Sequence, residues 1–254
     1  MNDLTIMIYR QVKRLIRSRS KLVGSLINPI IWMVFFGLGW SNVFNFPMAK
    51  AIFGGVDYMA FLVPGIVVMT IFTTSFMGGI NIIWDKQFGF LKELLVAPAN
   101  RKLSILGRTI GDALVATIQS LIVILLALAL VEINVAMIPL ALAIGFITAL
   151  IFSSLGAMLS LKINNMEGFV MIMNILMFPL LFASGIFYPY KTMPNWMKAM
   201  AKAIPLTYSI DLIRHFLVGT PLIFNIFTDL MALFVFLIIN IVLVMILFER
   251  TTIE

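Results

Sequence analysis

Six apolar stretches, at 22–41, 58–83, 104–131, 136–161, 169–187 and 222–248, dominate the chain, and short, more polar connections separate them. Each has about the 20 residues that a helix needs to cross a hydrocarbon core of ~30 Å. Lipid offers no hydrogen-bond partners, so a spanning backbone must satisfy itself, and a lone apolar run does so only as a helix. Composition agrees: 62% of the 254 residues are hydrophobic and 11% are charged, against roughly 25% charged in a soluble domain. The expected fold is an all-α integral membrane protein of six transmembrane helices, with little chain left for a globular domain on either side. No cleavable leader is expected, because the first apolar stretch is of full span length and no small-residue cleavage site follows it. Asn28-Pro29 lies inside that stretch, and proline removes an N–H from the helical ladder, so a break is expected there.

The charges sort to one side. In residues 2–21, Leu4, Met7, Ile8, Val12, Leu15 and Ile16 fall on one half of a helical wheel, while Arg10, Lys13, Arg14, Arg17 and Lys21 share an arc of about 100° on the other. A basic amphipathic helix lying on an anionic membrane surface has this pattern, with Arg10, Arg14 and Arg17 as its interface cations. The same residues also serve as a topogenic positive flank. Thirteen of the eighteen Lys and Arg residues lie in this segment, in the 84–108 stretch, or at Lys162 and Arg250; the other five are Lys50, Lys191, Lys198, Lys202 and Arg214. The positive-inside rule therefore predicts a multi-pass protein with both termini and the 84–103 loop in the cytoplasm. This distribution assigns the net charge of +7 to a lipid bilayer, and nucleic acid is not expected as a partner. Trp32, Trp40, Tyr58, Trp84, Tyr188 and Tyr190 sit near span ends, as an aromatic belt does.

Two connections carry the mechanism. Over 85–97, Phe88, Phe90, Leu91, Leu94 and Leu95 occupy one side of a helical wheel and Asp85, Lys86, Lys92 and Glu93 the other, before Pro98 and Asn100 stop the helix. The run from Asp85 to Pro98, DKQFGFLKELLVAP, resembles the cytoplasmic-loop signature of type-2 ABC exporter permeases, the class of the daunorubicin-resistance, nodulation-factor and polysaccharide exporters. A second match runs from Phe182 to Pro189 (FASGIFYP), through Met193-Pro194-Asn195-Trp196 and Ile204-Pro205-Leu206-Thr207-Tyr208, to Asp211 and Arg214. The resemblance covers nearly the whole chain. It implies that 1–21 is a connecting helix at the membrane interface and 22–254 a six-helix permease domain. Within that domain 85–97 would be a coupling helix docking on a separate ABC ATPase subunit through Asp85, Phe88, Gly89, Leu91, Glu93 and Leu94, with Glu167 as a smaller contact. Residues 188–205 would form short re-entrant helices on the outer side. The resemblance further implies a second permease copy, a plasma-membrane location and a translocation path between the copies. No glycine is followed by lysine, so the chain holds no phosphate-binding loop. ATP and Mg are accordingly expected on the partner, and no cofactor on this chain.

Few polar groups interrupt the spans. Arg108 and Asp112 lie one turn apart and are expected to form a local pair; Gly107 and Gly111 beside them permit close helix contact. Asp229 is expected to reach the outer interface, and Asp211 and His215 to lie in an outer loop. A single histidine and no cysteine exclude a multi-histidine or thiolate metal site. Asn28, Asn81, Gln119, Asn174 and Asn240 suit hydrogen bonds between helices. Asn174, Pro179 and Asn28 are the candidates for a substrate path. The scarcity of intramembrane charge argues against a proton- or sodium-coupled carrier. An intramembrane lipid-modifying enzyme would have to work from Ser153, Ser154 and Asp112 alone. A non-transporting anchor or assembly subunit is the other alternative. The expected function is the transmembrane half of an ATP-driven exporter of an amphiphilic, drug-like or lipid-linked substrate; the motifs do not choose among these, nor between a homodimer and a heterodimer.

Overall fold

A computed structural model describes residues 3–41, 43–44, 46–89 and 101–250. The predicted coupling segment therefore lies partly outside the described residues, including Leu91, Glu93 and Leu94. Helix α1 (Asp3–Arg17) is followed after one residue by α2 (Arg19–Trp32). A short helix α3 (Pro47–Ile52) precedes α4 (Tyr58–Met77) and α5 (Ile80–Gln87). Then come α6 (Arg101–Ala127), α7 (Ile138–Lys162) and α8 (Met166–Ala183). Helices α9 (Asn195–Lys202), α10 (Pro205–Val218) and α11 (Ile226–Glu249) complete the chain. Six stretches are long and apolar enough to span a membrane: Val23–Ser41, Tyr58–Gln87, Lys102–Ala127, Val135–Lys162, Met166–Ala183 and Ile226–Glu249.

The second span is the axis of the bundle. Its most apolar window is 83% buried, against 17% for the first and sixth spans and 22% for the fifth. Helix α4 is apolar all round, as a helix enclosed by protein must be, and it packs on α6, α7 and α10. The Phe72 ring meets Phe152 edge-on at 4.8 Å, and Phe76 meets Phe169 at 5.6 Å. Buried hydroxyls do not interrupt this core: Thr70 and Ser75 donate to the carbonyls of Ile66 and Ile71 one turn back. Between α4 and α5 the span changes course at Gly78-Gly79. Gly79 there lies against the Gly156 carbonyl, and Gly156 against that of Phe76, so the backbones of the second and fourth spans touch where neither residue has a side chain.

Three expectations need correction. Asn28-Pro29 does not break the first span: α2 runs through Pro29 and widens into a π-helix over Met33–Leu38. The Asn28 side chain accepts from Trp32 Nε1 at 3.1 Å, and the π-helix begins one turn after the proline. The connection between the third and fourth spans begins earlier than Glu132, because α6 ends at Ala127. Residues 205–218 form a helix, not a loop. Pro205 starts it, and Gly219 ends it in the left-handed conformation at φ 74°, where its N–H reaches the His215 carbonyl at 3.0 Å. Asp211 and His215 therefore lie on a helix packed against α4, α7 and α11.

Candidate functional site

Asp85 lies on α5, at the root of the predicted coupling segment. Its carboxylate is turned into the bundle, with a side-chain exposure of 8%. Arg10 of α1 donates to both oxygens, at 2.9 and 3.3 Å, and Arg108 of α6 donates to Oδ2 at 2.6 Å. The Arg108 side chain is 4% exposed, and its Nε and Nη2 make no hydrogen bond among the described residues. This corrects two readings. The wheel placed Asp85 on the watery side of its helix, and Arg108 was expected to bond Asp112 locally. Instead Arg108 reaches across to α5, and Asp112, which adds its charge nearby, lies against the backbone of Gly78.

Arg10 reaches Asp85 because α1 sits directly on the third span. A Cβ on Gly107 would come within 2.6 Å of the Leu4 carbonyl oxygen, and one on Gly111 within 2.8 Å of the Gln11 side chain. The pair at 107 and 111 thus receives α1, with Met7, Gln11 and Leu15 buried in the contact. Arg10 is turned to the protein; the Arg14 guanidinium lies 5.9 Å from the Trp84 ring, and Arg17 is exposed.

The other side of α5 is tied to the turn between the fourth and fifth spans. Lys86 Nζ donates to the Leu161 carbonyl at 2.6 Å, and Gln87 Nε2 to that of Asn164 at 3.2 Å. Trp84 Nε1 points at Met166 Sδ, 2.8 Å away. Beyond these ties Phe88 projects from the bundle, 77% exposed, and Gly89 turns the chain at φ 80°. Glu167 is exposed in the first turn of α8. Asp85, Phe88, Gly89 and Glu167 therefore share one end of the bundle, Asp85 as an internal anchor and Phe88 and Glu167 as surface.

Asn174 and Pro179 lie on the exposed side of α8, and Asn28 on that of α2. Glu167 and Asn174 line one open groove along α8, with Val170 and Met171 between them. At the far end, Trp32, Phe36 and Phe187 stack together. Phe36, Trp40, Phe53, Tyr58 and Tyr188 border a cavity of about 330 Å³. Also at this end, Arg214 of α10 is buried. Its Nε donates to the Phe61 carbonyl at 3.0 Å, its Nη2 to those of Gly185 and Ile186 at 3.1 and 3.3 Å. The guanidinium covers the Phe61 ring at 3.6 Å. Burial pulls Arg214 down to about 9 against the opposing charge of Asp211, so it stays charged at neutral pH. The structural weight of Arg108 and Arg214 was not read from sequence. The available signal was a charge placed where a span or an apolar helix should run.

Residues 2–218 match the ABC-2 type transporter family. The chain belongs to that family. It is 29% identical over 225 residues to the transport permease ycf38 of Cyanophora paradoxa, which covers 84% of this chain and 73% of that protein. It is 27% identical to nodulation protein J of Rhizobium leguminosarum bv. trifolii over 80% of this chain and 76% of that protein. Against the inner membrane transport permease YadH of Escherichia coli K12 the identity is 24%, over 78% and 77% of the two chains. The ABC-2 permease is thus a multi-pass transmembrane subunit of an ABC transporter, and membership of this family implies an ATP-binding partner subunit.

Proposed function

We propose that this permease is half of an exporter in which the segment 85–97 docks on the ATPase and two permease copies enclose the path. The observation that carries the reading is the fixing of α5. Through Asp85 it is joined to α1 and the third span, and through Lys86 and Gln87 to the turn before the fifth span. A displacement of α5 would reach α1, the third span and the turn before the fifth through these direct contacts. Phe88, Gly89, Leu91, Glu93, Leu94 and Glu167 form the docking side in this reading, with ATP and Mg on the partner. Arg14 and Arg17 face the headgroups at the plasma membrane, both termini are cytoplasmic, and 188–205 dips back into the outer leaflet.

The second copy rests against the first and fifth spans, forming a homodimer. Their wide apolar faces could be covered by lipid, but Asn28 and Asn174 are amides on those faces. An amide facing lipid has no partner for its N–H groups, whereas at a contact between copies or beside a polar substrate it finds one. A substrate with a polar head and an apolar tail suits a path lined by such amides and by Met171, Ile175 and Phe178.

The test is co-purification with an ABC ATPase and ATP-driven transport in vesicles. Glu93→Ala is expected to lower transport, and with it ATPase stimulation, by tenfold or so, the effect of losing ~1.4 kcal/mol of coupling. Unchanged assembly and transport in that variant would remove Glu93 from the docking surface.

A further inference from the structure

We propose that Asp211 and Asp229 hold a single proton between them, and that this shared proton latches the last span to α10. Asp211 is buried in the middle of α10. It accepts from the Ile223 N–H at 3.0 and 2.8 Å and from the Phe224 N–H at 3.0 Å. Asp229, in the first turn of α11, is wholly buried, and among the described residues neither of its oxygens meets an N–H, a hydroxyl or a cation. The group it interacts with is the Asp211 carboxyl of α10, the helix on which α11 packs.

The surroundings balance one negative charge, not two. Arg214, three residues along α10 from Asp211, is the buried cation of this end, held in place by the Phe61 ring and carbonyl of α4. Tyr208 and Tyr190 bring phenols. The Tyr208 hydroxyl donates to the Lys202 backbone carbonyl of α9 at 2.6 Å, His215 Nδ1 contacts the Thr220 carbonyl at 2.8 Å, and α7 presents the neutral Thr148 to Ser209. Lys191 lines a cavity of about 120 Å³ with Asp211, Arg214 and Tyr190, which gives the pair a route for proton exchange. Two carboxylates in contact away from water cannot both ionise, and an unpaired buried carboxylate costs more than taking up a proton. Two backbone N–H groups and Arg214 favour the ionised form at Asp211, so the proton sits on Asp229 and is donated to Asp211.

The latch matters because α10 is a hub. Arg214 bonds it to the top of the second span and the end of the fifth, so the Asp229–Asp211 bond adds the sixth span to the same helix. Loss of the proton would place two like charges between α10 and α11.

The sign follows from proton counting. The folded pair keeps a proton that separate, solvated aspartates, titrating at about 4, have already lost at neutral pH, so stability falls as pH rises. The limiting slope is about a tenfold change in the folding constant per pH unit. The experiment uses the full-length permease in lipid nanodiscs. Infrared spectroscopy at neutral pH should show a protonated-carboxyl C=O band that disappears in Asp229→Asn. The free energy of unfolding, measured between about pH 6 and about pH 9, should fall with pH in the wild type and stay flat around this site in Asp229→Asn, whose amide donates permanently. Absence of the band in the wild type would overturn the proposal, and decides the matter even if the variant fails to fold. So would a wild-type stability that rises with sodium concentration at fixed pH, which would put a metal cation between the carboxylates.

Discussion

Replacing Asp85 by asparagine keeps the shape of the side chain and removes only its charge. Arg108 would then be an arginine with 4% of its side chain exposed, Nε and Nη2 already without acceptors, and no carboxylate in direct contact. Stranding a buried charge in this way costs about 3–5 kcal/mol. Asp112 still contributes its field, and the new amide oxygen can accept one bond, so a loss of about 3 kcal/mol is expected. Arg10 behaves differently. Its side chain is 32% exposed and can turn to water, so Arg10→Gln should cost about 1 kcal/mol or less. The double variant Asp85→Asn/Arg108→Gln replaces the stranded charge by a neutral pair and should recover much of the loss. Equilibrium unfolding in mixed micelles measures all three. An Asp85→Asn variant within about 1 kcal/mol of the wild type, or an Arg10→Gln loss as large, would refute a buried anchor centred on Arg108.

Gly107→Leu should force α1 off the third span, because even its Cβ would meet the Leu4 carbonyl at 2.6 Å; a cost of ~1–3 kcal/mol and faster proteolysis after Arg17 are expected. Asn174→Leu should leave assembly with the ATPase intact and lower transport severalfold; unaltered transport would take Asn174 off the path. Cysteines at Lys50 and Lys198 should react with an impermeant reagent from outside and one at Lys92 should not, and the reverse pattern would invert the orientation. A cysteine at Ile175 should cross-link two copies if the fifth span lies at their contact, and failure to do so under oxidising conditions would move the contact elsewhere.

The six spans were readable because lipid imposes one requirement on every stretch it surrounds, and that requirement is local. The interhelical anchors were not readable by the same means. A helical wheel separates apolar from polar positions, but it does not say whether the polar side meets water or another helix. Asp85 and Lys86 both fall on the polar side of α5, and the structure spends one on Arg10 and Arg108 and the other on the Leu161 carbonyl. Gly107 and Gly111 signalled a close contact without naming the partner, since α1 lies a hundred residues away in sequence and carries the matching Leu4, Met7 and Gln11. Helix α10 escaped notice for a related reason. Asp211, Arg214 and His215 interrupt its apolar run, which is too short to span a membrane, yet Asp211 is satisfied by Ile223 and Phe224, and Arg214 by Phe61, Gly185 and Ile186, so the helix is buried with its charges.

The two buried arginines hold their ends of the bundle by different means, and the difference bears on which end can move. Arg108 is held by charge: Asp85 faces it on a different helix, and Asp85 stands next to the segment read as the docking site. Displacing α5 would separate opposite charges that were already desolvated, so the terminus-bearing end either moves α1, α5 and the third span together or loses several kcal/mol. Arg214 is held by carbonyls from the second span and the end of the fifth, which are neutral and can be exchanged for water at less expense. Rearrangement between spans is therefore cheaper at the far end than at the docking end. An alternating path built on this chain would carry its coupling end as one block and open where α10 meets the second and fifth spans.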